Sequence, residues 1–144
     1  MQVGMIGLGR MGANMAERLR RAGHRVVGMD PEADGADVTT LAELVAALDA
    51  PDQPRVAWSM VPAGDVTAAT VAELAERLAP GDVVVDGGNA NFRDSLARAE
   101  ALAARGIGFV DCGTSGGVWG RDAGYALMVG GADEHVAAVA PLLE

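Results

Sequence analysis
Eleven Lys and Arg stand against 20 Asp and Glu in this 144-residue chain, and the formal charge of −9 argues against a nucleic-acid or anionic-membrane surface, either of which needs clustered cations. Half of the residues are hydrophobic and only 3% aromatic, which suits one domain with a core built from Ala, Val, Leu and Met. No run approaches the roughly 20 apolar residues of a membrane span, and the first apolar run begins almost at Met1, leaving no room for a signal peptide, so a cytoplasmic protein is expected.

Apolar runs of strand character at 2–6, 25–29, 55–60, 82–86 and 107–111 alternate with amphipathic helical stretches. That alternation predicts an α/β, Rossmann-like doubly wound sheet, mostly parallel and covered on both faces. The first run leads into Gly7, Gly9 and Gly12; Met11, Met15, Leu19 and Ala22 then recur at helical spacing until Gly23 ends the helix. Both methionines read as core. After the second run come Asp30 and the ten residues PEADGADVTT. These are too few for a crossover helix plus a strand, so this shortened segment is expected to hold a turn and a stub near Val38. Leu41, Leu44, Val45 and Leu48 make the next stripe, with Thr40 and Glu43 spaced as a capping box.

Pro51, Asp52, Gln53 and Pro54 make a rigid turn before the third run. Val71, Leu74, Ala75 and Leu78 form a further stripe closed by Pro80 and Gly81, and Leu96, Ala99, Leu102 and Ala103 another closed by Gly106. The stretch 125–129 reads as one more short strand, followed by a helix from about Asp133 that Asp133 and Glu134 open. His24 reads as a residue following a helix end and His135 as lying on a polar helix face, both ordinary surface or capping positions. Cys112, the one cysteine, has no internal disulfide partner and reads as a small buried residue, and no His or Cys cluster suggests a metal.

A GxGxxG that leaves a strand and opens a helix is the pattern of a dinucleotide-binding βαβ unit. Gly7 permits the tight turn, Gly9 leaves room for backbone to approach a pyrophosphate, and Gly12 lets the helix pack closely. The anion would sit on the helix N-terminus. Asp30 stands where a carboxylate accepts a ribose 2′-OH, and no Arg or Lys intervenes before Arg55, so NAD is expected in preference to NADP; the alternative is that Asp30 only starts the turn at Pro31.

Ligands of open α/β sheets gather beyond the carboxyl ends of the strands, where this chain reads MVPAG at 60–64, DGGN at 86–89 and CGTSGGVWG at 112–120. Gly87 and Gly88 admit backbone to a flat ring, and Asn89 either offers that ring a donor and an acceptor or belongs to the turn before a helix near Asn91. Ser115, Gly116 and Gly117 suit a nest of N–H groups plus a hydroxyl for a carboxylate or phosphate, or equally a plain tight turn.

The segments GLGRMGANM, DGGN and VDCGTSGGVWG, the last followed by GYALMVGG, resemble the decarboxylating 6-phosphogluconate dehydrogenases of the shorter bacterial type over nearly the whole chain. All β-hydroxyacid dehydrogenases share the glycine loop; DGGN together with SGGVWG is far more specific. The resemblance implies an oxidoreductase of gluconate and pentose phosphate metabolism. In that family a hydride passes from C3 of 6-phosphogluconate to the nicotinamide of NAD or NADP, the 3-keto acid loses CO2, and the enediol is reprotonated to ribulose 5-phosphate without a metal. Residues matching the cofactor motif are Gly7, Leu8, Gly9, Arg10, Met11, Gly12, Val61, Pro62, Ala63 and Asn89; those matching the substrate motif are Asn89, Ser115, Gly116 and Gly117.

The family continues into a helical domain that carries its lysine base, its glutamate acid, further phosphate ligands and most dimer contacts. This chain stops at Glu144, so 1–144 is expected to be the NAD(P)-binding domain with that helical domain absent and with no catalytic acid or base of its own. An apolar face left exposed would favour a homo-oligomer. Relatives also have a full helix and an edge strand where this chain has its shortened 31–40 segment, on the adenosine side of the pocket. Two readings stand beside each other: the cofactor domain of an oxidoreductase similar to 6-phosphogluconate dehydrogenase, and a non-catalytic dinucleotide-binding module. SGGVWG argues against a third, another β-hydroxyacid dehydrogenase.

Overall fold
The computed structural model describes residues 1–49 and 51–144. Strands and helices alternate as β1 (Gln2–Ile6), α1 (Arg10–Arg21), β2 (Arg25–Met29), α2 (Leu41–Ala47), β3 (Val56–Ser59), α3 (Asp65–Arg77), β4 (Val83–Asp86) and α4 (Phe92–Ala103). β5 (Gly108–Ser115), α5 (Gly120–Ala123), β6 (Ala126–Gly131) and α6 (Asp133–Leu143) complete the order. The described residues form a six-stranded sheet in the order β2-β1-β3-β4-β5-β6, parallel throughout except for β6. The fold is thus the expected Rossmann-like α/β sheet. Among the described residues no helix is long and apolar enough to cross a membrane.

Both faces of the central strands are covered, which is why their sequences are apolar at successive positions rather than at alternate ones. On one face Val3, Met5, Trp58, Val85 and Val110 pack against Met15 and Leu19 of α1 and Val139 and Leu142 of α6. On the other, Ile6, Ala57, Val84 and Phe109 pack against Leu41 and Leu44 of α2, Leu74 of α3 and Leu102 of α4. Helix α2 begins on the predicted capping box: the Glu43 N–H donates to Thr40 Oγ1 at 3.2 Å and the Thr40 N–H to Glu43 Oε2 at 3.1 Å.

The shortened segment closes the edge of the sheet without a strand. Val38 makes a single parallel bridge to Met29, and the Asp37 carboxylate accepts the Gly28 N–H at 2.7 Å while pairing with Arg20 at 2.6 Å. The outward-facing N–H of Gly28 on β2 is thus satisfied by a side chain rather than by a neighbouring strand.

Four expectations need correction. β5 does not stop near Asp111: it runs to Ser115, because 110–115 pairs in antiparallel register with 126–131, Ser115 facing Ala126. In α4 the sheet-facing positions are Ser95 and Leu102, whereas Leu96 is half exposed. Leu96 and Phe92 instead border an apolar groove with Phe109 and His135. His135 lies on no polar face; its ring packs on Gly108, where a Cβ would stand 2.6 Å from Cδ2. Met11 departs from the core as well, being half buried at a cleft.

Candidate functional site
Chain connections leave β1 toward β2 on one side and, through β2 and α2, toward β3 on the other, so the strand order reverses between β1 and β3. A crevice opens beyond the carboxyl ends at such a reversal. Here it is a cleft of about 870 Å³ walled by Gly7, Gly9 and Met11, by Met29, Asp30, Pro31 and Glu32, by Met60, Val61 and Pro62, and by Gly87, Gly88 and Asn89.

Each glycine of the loop has a separate task. Gly7 has φ +85°, a left-handed conformation that turns the chain off β1. A Cβ on Gly12 would collide with the Gly7 carbonyl oxygen, so this residue sets how closely α1 packs behind the loop. Around Gly9 nothing stands within 4 Å of a would-be Cβ. Gly9 is also the N-cap of α1, with no capping side chain and no acidic residue in the first turn. Open space and uncapped N–H groups at the positive end of a twelve-residue helix are what a pyrophosphate requires.

Asp30 faces the cleft and organises it. Its Oδ2 accepts the Leu8 N–H at 2.9 Å, and its Oδ1 accepts those of Glu32 at 2.9 Å and Ala33 at 3.1 Å. The N–H groups of Glu32, Leu8 and Ala33 hold its carboxyl below the ordinary carboxylate range. Asp30 thus starts the turn at Pro31, and its carboxylate also stands on the cleft wall with spare acceptor capacity.

At the end of β4, Asp86 is fully buried, accepts the Gly88 N–H at 3.0 Å and pairs with Arg98 at 3.3 Å. Burial pushes its carboxyl up, against the opposing pull of the Gly88 N–H and Arg98 and with the neighbouring Asp111 adding to the rise. Gly87 and Gly88 leave the chain free to pass against β3: a Cβ on Gly87 would stand 2.7 Å from Trp58 Nε1, and one on Gly88 2.6 Å from the Val61 carbonyl oxygen. Asn89 follows with φ +55°. It borders both the cleft and a smaller hollow shared with Asp111, Gly113 and Met128. Its Oδ1 accepts the Thr114 N–H at 3.4 Å. Asn91, separately, caps α4 through the Arg93 N–H at 2.9 Å, so Asn89 is not needed as the helix cap.

The structure gathers Gly7, Gly9, Met11, Asp30, Val61, Pro62 and Asn89 on one wall system. Leu8, Arg10, Gly12 and Ala63 are not on that wall. Leu8 contributes its N–H to Asp30, Gly12 acts behind the loop, and Arg10 and Ala63 are exposed. Ser115 is the exposed last residue of β5, next in sequence to the Thr114 that Asn89 holds, and Gly116 and Gly117 follow with φ +147° and +50°. Sequence reasoning did not find Met29, Val66 and Thr70, which also line the cleft, and marked Met60 only as the start of the strand end at 60–64. For Val66 a signal existed: it lies off the buried stripe of α3 yet is apolar and 51% exposed.

Comparison with known proteins gives the chain its family. A family model described as the NAD binding domain of 6-phosphogluconate dehydrogenase matches residues 2–144. The NAD(+)-dependent, decarboxylating 6-phosphogluconate dehydrogenase of Haloferax volcanii is 47% identical over 140 residues, covering 91% of this chain and 45% of that protein. The decarboxylating 6-phosphogluconate dehydrogenase of Staphylococcus aureus (strain N315) is 35% identical over 153 residues, covering 99% of this chain and 33% of that protein. The chain thus spans less than half the length of these curated relatives. Among solved structures, Mycobacterium tuberculosis 3-hydroxyisobutyrate dehydrogenase with L-serine superposes with a TM-score of 0.84 at 29% identity, over 99% of this chain and 50% of that one. Plasmodium falciparum 6-phosphogluconate dehydrogenase superposes with a TM-score of 0.86 at 23% identity, over 100% of this chain and 33% of that one, which shows the fold.

Proposed function
The chain belongs to the family of NAD-binding domains of 6-phosphogluconate dehydrogenase, and from that premise we propose that it is the cofactor domain of an oxidoreductase that oxidises and decarboxylates 6-phosphogluconate with NAD. The observation that carries this reading is the Gly7–Gly9–Gly12 loop at the switch point of the sheet, with open space at Gly9 and uncapped N–H groups on α1. Gly9 and the first turn of α1 hold the pyrophosphate, and Asp30 takes a ribose hydroxyl. Val61, Pro62 and Asn89 flank the nicotinamide end of the cleft. When bound, the nicotinamide supplies the hydride acceptor for C3 of the substrate.

Asn89 is the hinge of the assignment because it borders the cofactor cleft on one side and the hollow toward Gly113 and Met128 on the other. Ser115, Gly116 and Gly117 hold the anionic substrate beside it. NAD is preferred over NADP, since Asp30 and Glu32 are the charged groups on that part of the wall and both repel a 2′-phosphate. Support for NAD also comes from the printed name of the Haloferax volcanii relative.

Calorimetric titration of the chain with NAD and NADP, then with 6-phosphogluconate in saturating NAD, tests the reading. NAD is expected to bind more tightly than NADP, and Ser115→Ala to weaken the sugar acid while sparing NAD. The similarity to 3-hydroxyisobutyrate dehydrogenase supplies a competing substrate class, so 3-hydroxyisobutyrate serves as the second titrant. Preference for it over 6-phosphogluconate would reject the proposed substrate.

A further inference from the structure
Residues 116–125 connect the antiparallel pair β5 and β6, whose last register is Ser115 opposite Ala126. One side chain fills the inside of this connection. A Cβ built on Gly120 would stand 2.5 Å from Tyr125 Cδ1, and one on Gly116 would stand 3.1 Å from the same atom. The ring therefore lies directly on the Cα of Gly120 and beside that of Gly116. The ring also packs against the apolar cluster that lies under α1 and α6. The Tyr125 hydroxyl is buried and makes no hydrogen bond among the described residues, so the ring surface is what the loop uses.

The outer side of the connection is braced against α1. Arg121 pairs with Glu17 at 2.8 Å, Asp122 lies 3.9 Å from Arg21, and the Gly124 N–H closes the turn on the Gly120 carbonyl at 3.0 Å. Gly116 has φ +147° and Gly117 φ +50°, conformations that leave the peptide directions at these residues to be fixed by what the loop wraps around. The loop is thus held from inside by an aromatic ring and from outside by the helix that opens the cofactor cleft.

We propose that Tyr125 is a positioning residue for the substrate: the loop wraps its ring, and this wrapping sets the Ser115, Gly116 and Gly117 groups at the spacing an anionic sugar acid needs. The inference rests on the reading of those three residues as the substrate's anion cradle. It adds a specificity role for the Tyr125 ring and for the absence of a side chain at Gly120, neither of which touches the substrate.

The test uses the whole chain with 6-phosphogluconate titrated in saturating NAD, and NAD titrated separately, for the wild type, Tyr125→Phe, Tyr125→Ala, Gly120→Ala and Ser115→Ala. Expected is a loss of about tenfold or more in sugar-acid affinity for Tyr125→Ala and Gly120→Ala, comparable to losing a charge-assisted hydrogen bond. NAD affinity should stay within about twofold, and Tyr125→Phe should match the wild type on both ligands, since the hydroxyl has no partner. Wild-type sugar-acid affinity in Tyr125→Ala and Gly120→Ala, with Ser115→Ala impaired, would overturn the role of Tyr125 and leave the cradle standing. Wild-type affinity in Ser115→Ala, or no binding of 6-phosphogluconate by the parent chain, would remove the cradle and this inference together. Equal losses of NAD and sugar-acid affinity in both alanine variants would reduce Tyr125 to a core residue and overturn the proposal.

Discussion
The Leu8 N–H donates to Asp30 Oδ2 at 2.9 Å, tying the glycine loop after β1 to the end of β2 through the carboxylate that faces the cleft. Loop shape therefore depends on the same side chain that the proposed function assigns to the ribose. Asp30→Ala is expected to lower NAD affinity more than NADP affinity, collapsing the ratio of the two, and to reduce stability by about 1–3 kcal/mol through the N–H groups it leaves unpaired. Paired calorimetric titrations and thermal unfolding measure both; an unchanged NAD/NADP ratio would confine Asp30 to a structural role. Because the N–H groups of Glu32, Leu8 and Ala33 hold its carboxyl below the ordinary carboxylate range, Asp30 supports the fold fully above its unfolded pKa. That support is lost as pH falls through its folded value, so acid unfolding below about pH 4 should be less steep in Asp30→Ala.

Gly9 and Gly12 separate binding from folding. Gly9→Ala meets open space at φ −61°, so its stability should stay within about 1 kcal/mol of the wild type, while dinucleotide affinity falls because the methyl enters the pyrophosphate's approach. Gly12→Ala pushes a methyl into the Gly7 carbonyl and should cost about 1–3 kcal/mol as well as binding. Denaturant titration beside calorimetry distinguishes them; a stability loss in Gly9→Ala as large as in Gly12→Ala would contradict the separate tasks.

Arg98 is the counter-charge of a fully buried carboxylate, its own side chain being 11% exposed. Arg98→Met leaves Asp86 buried and uncompensated, at an expected cost of about 3 kcal/mol at neutral pH. Burial already raises the Asp86 pKa, and a raised carboxylate contributes stability below its unfolded pKa that is lost as pH rises through the folded one. The deficit of Arg98→Met should accordingly be larger at pH 8 than at pH 5. Urea titrations at the two pH values decide it, and a pH-independent deficit would count against an ionised Asp86.

Within these 144 residues, binding without turnover is the expected behaviour. A general acid or base must come within hydrogen-bond reach of the reacting atoms. Two of the three nearby carboxylates are engaged or displaced: Asp86 is buried against Arg98, and Asp122 lies on the outer surface near Arg21. Cys112 is no substitute, since burial pushes its thiol up to about 11. NADH absorbance followed with NAD and 6-phosphogluconate should stay flat while calorimetry shows binding; sustained NADH formation would direct attention to Asp111, on the wall beside Asn89.

Local chemistry made much of this legible from residues alone. The Thr40–Glu43 box, the glycine loop, the Val38 stub and the apolar strand runs each depend on neighbours in sequence. What escaped depends on partners distant in sequence. Gly113 and Thr114 look like turn residues, and only the ladder with β6 makes them strand. Leu96 looks like core by spacing, yet the side of α4 that meets the sheet presents Ser95 and Leu102. His135 looks exposed because nothing in its own helix reveals that Gly108 leaves a socket for the ring. The cleft wall was half visible for the same reason: Gly7, Gly9 and Asp30 announce themselves, whereas Met60 and Thr70 line it through the packing of β3 and α3.

The edge of β2 carries a further consequence. An edge sealed by a ladder fails gradually, one rung at a time, but here a single carboxylate, Asp37, satisfies the Gly28 N–H and anchors Arg20 of α1. Removing it frees a strand N–H and a helix arginine together, while the Asp37 and Val38 N–H groups still hold the Gly28 carbonyl. The boundary most open to unwanted strand pairing is thereby closed by a short latch, Asp37 and Val38, rather than by a long seam.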